Sequence, residues 1–176
     1  MNPLLQKLQS AEKELGFDSR QFSGAVCVSL LKETLYKKGY STSEKDVFIK
    51  GVPIEIDLLL VKPNSKPSYG VLWNPEDVIA AFEIKKSGTV TEDGVIKTNS
   101  DFHRIRSYHP HIKLFFITFS EIRNKIVPIE RSDDSFTFFI RRNGKYSETG
   151  DFERFLQSIV STSSYSHQTV QAPKPL

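Results

Sequence analysis

The chain has 176 residues, 38% hydrophobic and 26% charged, a balance that excludes a disordered polymer and is enough for one domain with a real core. With 24 Lys and Arg against 21 Asp and Glu, the formal charge of +3 announces no polyanionic partner unless the basic residues cluster. A single cysteine, Cys27, excludes an internal disulfide framework, no apolar run reaches the roughly 18 residues of a membrane span, and MNPLLQKLQSAEKE lacks a signal-peptide pattern, so a cytoplasmic protein is expected.

In chain order, Leu4, Leu8, Ala11 and Leu15 recur at helical spacing and predict a first helix ending near Gly16. A second helix is expected from Ser19 or Ser23 to Lys38, with Cys27, Val28, Leu31, Thr34 and Leu35 as its apolar stripe and Gly39 as its C-cap. VFIK (47–50) reads as a short strand before a Gly51–Pro53 turn, and IEIDLLLVK (54–62) as one long central strand. The segment 63–75 is rich in Pro, Gly, Asn and Ser and reads as an excursion between strands, in which Tyr69 and Trp73 anchor the loop or stack on a base. DVIAAFEIKKSG (77–88) is the third strand. A polar loop (88–99), a short helix DFHRIRSY (101–108) capped by Asn99 or Ser100, and a buried strand KLFFITFS (113–120) follow. Further strands are expected near 126–130 and at SFTFFIRR (135–142), then a helix from Asp151 to Val160. One domain over residues 1–160 is predicted, and 161–176 is expected to be a disordered polar tail. Three strands, a crossover helix and another strand imply an antiparallel meander that gains a parallel neighbour, hence an α/β fold with a mixed central sheet.

Charge within two of the apolar strands needs an explanation. In period two, Ile79, Ala81, Glu83 and Lys85 share one face, and Val78, Ala80, Phe82 and Ile84 the other. Asp57 lies among apolar residues of the preceding strand, where a lone carboxylate is costly to desolvate. Adjacent antiparallel strands bring Asp57 beside Glu83 and Lys85. Two neighbouring carboxylates repel unless a cation lies between them, and a hard divalent ion such as magnesium takes a sparse set of oxygen ligands with water in the remaining positions. Lys85 on the same face suits activation of a water or stabilisation of a transferred phosphoryl group. The chemistry indicated is hydrolysis of a phosphodiester.

Asp57 followed by Glu83-Ile84-Lys85, on that element order, resembles the PD-(D/E)xK nuclease superfamily over roughly residues 20–120. The resemblance implies a restriction-endonuclease-like αβββαβ core and magnesium-dependent cleavage of nucleic acid, most simply a DNA endonuclease using a metal-activated water and leaving a 5′-phosphate. Manganese is expected to substitute. By the same resemblance Asp57 and Glu83 match the metal ligands, the backbone carbonyl of Ile84 completes the metal shell, and Lys85 matches the catalytic lysine. Here Ile56 stands where the motif has Pro. Many members add a Glu from the first core helix; Glu33 is the one acid in the second helix, but it lies opposite the apolar stripe, and Glu55 on Asp57's face is its rival. Lys86, His103, Arg104 and Arg106 are candidate nucleic-acid contacts, against a reading of HRIRSYHPHIK as a solvated face. Restriction-like enzymes act as dimers when two sites must address two strands, so a homodimer is a natural arrangement. The alternative is a nuclease-fold module that binds nucleic acid or a protein without catalysis.

Overall fold

The structure is a computed structural model and describes residues 2–15, 20–86, 92–119, 134–143 and 145–167. Its helices are α1 (Pro3–Leu15), α2 (Arg20–Lys37), α3 (Glu92–Tyr108) and α4 (Asp151–His167). Its strands are β1 (Ser41–Thr42), β2 (Val47–Ile49), β3 (Val52–Ile56), β4 (Leu58–Val61), β5 (Leu72–Trp73), β6 (Val78–Lys85), β7 (Lys113–Thr118), β8 (Asp134–Thr137), β9 (Phe139–Arg142) and β10 (Lys145–Glu148). They form a mixed central sheet in the order β1-β4-β6-β7-β8, a three-stranded sheet β3-β2-β5 and the hairpin β9-β10. β4 and β6 are antiparallel, whereas β6, β7 and β8 run parallel, which is the mixed sheet expected from the element order.

The apolar run 54–62 forms two strands, not one. β3 alternates buried and exposed positions and belongs to the small sheet; β4 is buried throughout and belongs to the central sheet. The chain changes sheets at Asp57. Alternation suits a sheet with one wet face, and a continuous apolar run suits a strand covered on both, so the change of pattern at Asp57 marks the crossing.

Each face of the central sheet carries its own core. Leu58, Leu60, Ala80, Phe82, Ile84, Phe115 and Ile117 face α1, α2 and α4. Leu59, Val61, Ala81, Leu114 and Phe116 face α3 and the small sheet. On the first face Phe82 stacks on Phe115 at 5.4 Å, and Phe155 of α4 meets both rings edge-on. Such aromatic pairs add to what area burial contributes, by about 0.5–1.5 kcal/mol each. Strict alternation along β6 fails at its start. The pairing register shifts between Leu60–Ala80 and Val61–Val78, so Ile79 is an extra residue, Val78 joins the α3 side and Ile79 packs toward α1 and α2.

Three expected boundaries move. α3 begins at Glu92 and absorbs most of the segment read as a polar loop, whose turn-like composition masks a helix that Phe102 and Ile105 anchor to the core. The run 135–142 divides at Phe138, whose N–H donates to the Thr118 carbonyl at 2.9 Å while the chain turns from β8 into the hairpin. α4 continues through His167 into the segment read as a disordered tail; Ser161 and Thr162 return their hydroxyls to the Ser158 carbonyl, and an established helix propagates more readily than it starts. The strand expected at 126–130 and residues 168–176 lie outside the described residues.

Candidate active site

Pairing of Leu58 with Phe82 sets Asp57 opposite Glu83 where β4 begins and β6 ends. Both side chains, with Lys85, line a cleft of about 400 Å³ between β3, the end of β6 and α3. Pro53, Ile54 and Glu55 form one wall; Lys97, Thr98, Asp101 and Arg104 form the other. The backbone N–H of Ile84 donates to Asp57 Oδ2 at 2.6 Å, which fixes one carboxylate oxygen and leaves the other for a ligand. In a strand the N–H and C=O of one residue leave by the same edge, so the Ile84 carbonyl is directed to the same side as Asp57.

The electrostatics are those of a strained pair of like charges. Burial, then the neighbouring Glu83 carboxylate, push Asp57 up to about 6. Lys85 forms an ion pair with Glu83. Burial works to lower the lysine, but the two carboxylates outweigh it and its pKa is raised, so it is an ammonium at neutral pH. Oxygen donors from two carboxylates and one carbonyl fit a hard divalent cation with water completing its shell. A cation there would also relieve the repulsion that raises Asp57. Among the described residues no group of three or more His, Cys, Asp or Glu side chains could hold a metal together, so the protein's share of such a shell is small.

Of the basic residues picked out from sequence, Arg104 reaches this cleft and His103 and Arg106 do not line it. The helix itself explains the choice, since Lys97, Asp101 and Arg104 recur at i, i+4 and i+7 on one face of α3. Lys97, Thr98 and Asp101 also line the cleft, and the spacing of Lys97, Asp101 and Arg104 is the signal for them in the sequence, masked by the loop-like composition of 88–99. Thr118, opposite Lys85 in the parallel register with β7, is fully buried, and its hydroxyl has no partner among the described residues.

Two candidates lie elsewhere. Glu33 is on α2, across the central sheet from the cleft, where its carboxylate is held by Lys37 at 2.8 Å and by Lys7 of α1. These two ammonium groups pull it down to about 2. Glu55, the rival, does line the cleft. Lys86 follows Lys85 by one residue and therefore leaves the strand on the opposite face. It is only 10% exposed and pairs with Glu12 of α1 at 3.3 Å, and Glu12 also accepts a hydrogen bond from the Tyr146 hydroxyl at 2.8 Å. Cys27 lies in the same group, its thiol pushed up to about 12 mainly by burial, which makes it a packed side chain rather than a nucleophile. His109 and His111 bond the backbone carbonyls of Lys50 and Pro75, at 2.9 and 3.0 Å, and serve to tie loops together.

No protein-family model and no curated protein matches the chain. Solved structures do. NucC from E. coli MS115-1 in its cAAA-bound form superposes with a TM-score of 0.65 at 17% identity, over 93% of this chain and 86% of that one. NucC from P. aeruginosa ATCC27853, also cAAA-bound, gives 0.62 at 16% identity over 93% and 87%. The apo form of the E. coli protein gives 0.57 at 16% over 93% and 90%. The chain shares the NucC fold.

Proposed function

We propose that the protein is a divalent-cation-dependent nuclease acting on DNA. The observation that carries this reading is the placement of Asp57 opposite Glu83, with Lys85 on the same face, in a cleft that also presents Lys97 and Arg104. The NucC fold supports it, as does the resemblance of Asp57 and Glu83-Ile84-Lys85 to the PD-(D/E)xK motif.

In this reading Asp57, Glu83 and the Ile84 carbonyl hold magnesium or manganese. Once bound, the ion would supply Lewis-acid polarisation of the phosphate and would lower the pKa of a bound water below that of bulk water. Asp57 and Glu83 set the position of that charge. Lys85 leaves its pairing with Glu83 and directs its ammonium to the phosphoryl oxygens, where negative charge builds in the transition state. Arg104 and Lys97 neutralise flanking phosphates and fix the strand along the cleft. One cleft per chain cuts one strand, so cleavage of both strands of a duplex calls for a second copy.

The test is incubation of purified protein with supercoiled, linear and branched DNA in magnesium, manganese or EDTA, with Lys85→Ala alongside. Cleavage by the natural protein alone, abolished by EDTA, is the expected result. DNA binding without cleavage in any metal would assign the chain instead to a nuclease-fold binding module.

A further inference from the structure

Four non-glycine residues among those described have φ in the left-handed region: Asp46 (56°), Asn64 (66°), Tyr69 (54°) and Asn143 (49°). Three are Asp or Asn, whose short side chains tolerate that conformation by bonding locally. Tyr69 has no such reason. Its turn is tightly closed, with Ser68 N–H donating to the Leu72 carbonyl at 2.8 Å, Leu72 N–H returning to Ser68 at 2.9 Å, and Gly70 also left-handed at φ 76°. Consecutive positive-φ positions of this kind select Asn-Gly or Asp-Gly. The tyrosine is also 92% exposed, the most exposed large hydrophobic side chain among the described residues, while Trp73, 4% exposed, anchors the loop. Both its backbone and its solvation therefore disfavour tyrosine here, and strain of this sort points to a task outside the folded chain.

The position suggests the task. Across the small sheet Ile56 pairs with Val47, and the Val71 carbonyl accepts from Phe48 N–H, so Ile56, Val47 and Val71 lie in one row. One step further along each strand come Asp57, Asp46 and the Tyr69–Gly70 tip. Asp57 lines the cleft, so that row runs outward from the cleft's edge. Two strand spacings of about 4.8 Å put the tip about 10 Å to the side of Asp57. That is about three base steps at about 3.4 Å each.

Resting on the nuclease reading, we propose that Tyr69 is a substrate-contacting residue that stacks on a nucleobase about three nucleotides from the phosphate at Asp57 and Glu83. The Tyr69 ring with Val71, 41% exposed, offers far less apolar surface than a protein interface, which takes about 20–30 residues a side. One aromatic face is what a base requires. Gly70 beside it lets the nucleic-acid backbone approach closely.

The experiment measures binding of a fluorescein-labelled 30-nucleotide duplex and of its single strand by anisotropy, in calcium to hold off cleavage, for the natural protein, Tyr69→Asn and Tyr69→Phe. Asn suits the left-handed turn, so Tyr69→Asn is expected to melt no lower than the natural protein yet to bind about 5- to 100-fold more weakly. The slope of log affinity against log salt should not change, because no charge is lost. Tyr69→Phe is expected to bind normally. If the natural protein binds and Tyr69→Asn binds equally well, the stacking role is overturned and the nuclease reading stands. An equal loss in Tyr69→Phe also overturns it. Unchanged binding with weakened self-association by sedimentation assigns Tyr69 to a contact between copies of this chain. Failure of the natural protein to bind either oligonucleotide overturns both this role and the nuclease reading.

Discussion

Two carboxylates on opposite sides of the central sheet show how differently one functional group can be treated. Glu33, in the groove between α1 and α2, is open to water and held between two ammonium groups, which pull it down to about 2. Asp57, in the cleft, is partly buried, faces a second carboxylate and is pushed up to about 6. The first is satisfied by the protein itself and has no reason to take a ligand. The second has one oxygen on the Ile84 N–H, and burial beside Glu83 outweighs both that bond and the pull of Lys85. That contrast separates a charge-paired acid from one held in an acidic cleft more sharply than their sequence contexts do.

The largest effect that could break the contrast is on cleavage. Lys85→Ala is expected to lower the rate by roughly 10²–10⁴. Since the substitution also frees Glu83 from its ion pair, cation affinity by calorimetry should stay the same or tighten. Asp57→Asn should abolish cleavage by the other route, through lost cation binding. Glu33→Gln should change neither, and a Glu33→Gln enzyme that loses cation binding would mean the two acids had been assigned the wrong way round.

Next in size is stability against pH in EDTA. Asp57 binds its proton more tightly folded than unfolded, so between about pH 4 and about pH 6 the folded state holds more protons. Stability therefore falls as pH rises through that window. The loss is at most about 3 kcal/mol, reduced to the extent that water screens a partly buried carboxylate. Denaturant melts at several pH values should show this slope, and magnesium or Asp57→Asn should flatten it. Glu33 has the opposite sign. Its stabilisation is present above its unfolded value and is lost as pH falls toward about 2.

Of similar size, Glu12→Gln should destabilise the fold by about 1–3 kcal/mol, because it removes a carboxylate that pairs with the mostly buried Lys86. Cation affinity in the cleft should hold. The smallest effect is electrostatic steering. Arg104→Glu should weaken DNA binding and lower the salt slope by about one to two, whereas His103→Glu at an exposed position outside the cleft should do much less.

Much of the cleft is legible in the sequence because strands write their faces in alternation. Glu83 and Lys85 with Ala81 on one side, and Phe82 and Ile84 on the other, follow from period two alone. The same rule sends Lys86 away from the cleft to Glu12 of α1, because parity and not adjacency decides a strand residue's face. The division of 54–62 is harder to see, since nothing in nine mostly apolar residues says that the hydrogen-bonding partners change at Asp57. Lys97, Thr98 and Asp101 were hidden by a segment whose Gly94 and polar residues imitate a loop while tertiary packing of Phe102 and Ile105 extends the helix backward. The strain at Tyr69 is invisible without dihedral angles, because Tyr-Gly between polar residues reads as an ordinary turn.

The hydrogen bonds made by Glu12 carry a consequence for the order of assembly. Tyr146 reaches Glu12 across 134 residues of sequence, and the Asn2 N–H reaches Glu148 across 146. Contacts that distant close late, since most of the chain must be ordered before they gain anything. During synthesis α1 emerges well before its partners on the β9–β10 hairpin, which follow it by 134 residues at the Tyr146–Glu12 bond. Through Glu12 and Lys86, the far side of the strand that bears Glu83 and Lys85 is tied to both. The end of that strand therefore acquires its full support only when the hairpin has docked, and a chain stopped short of residue 145 carries every residue of the cleft without the clasp behind it.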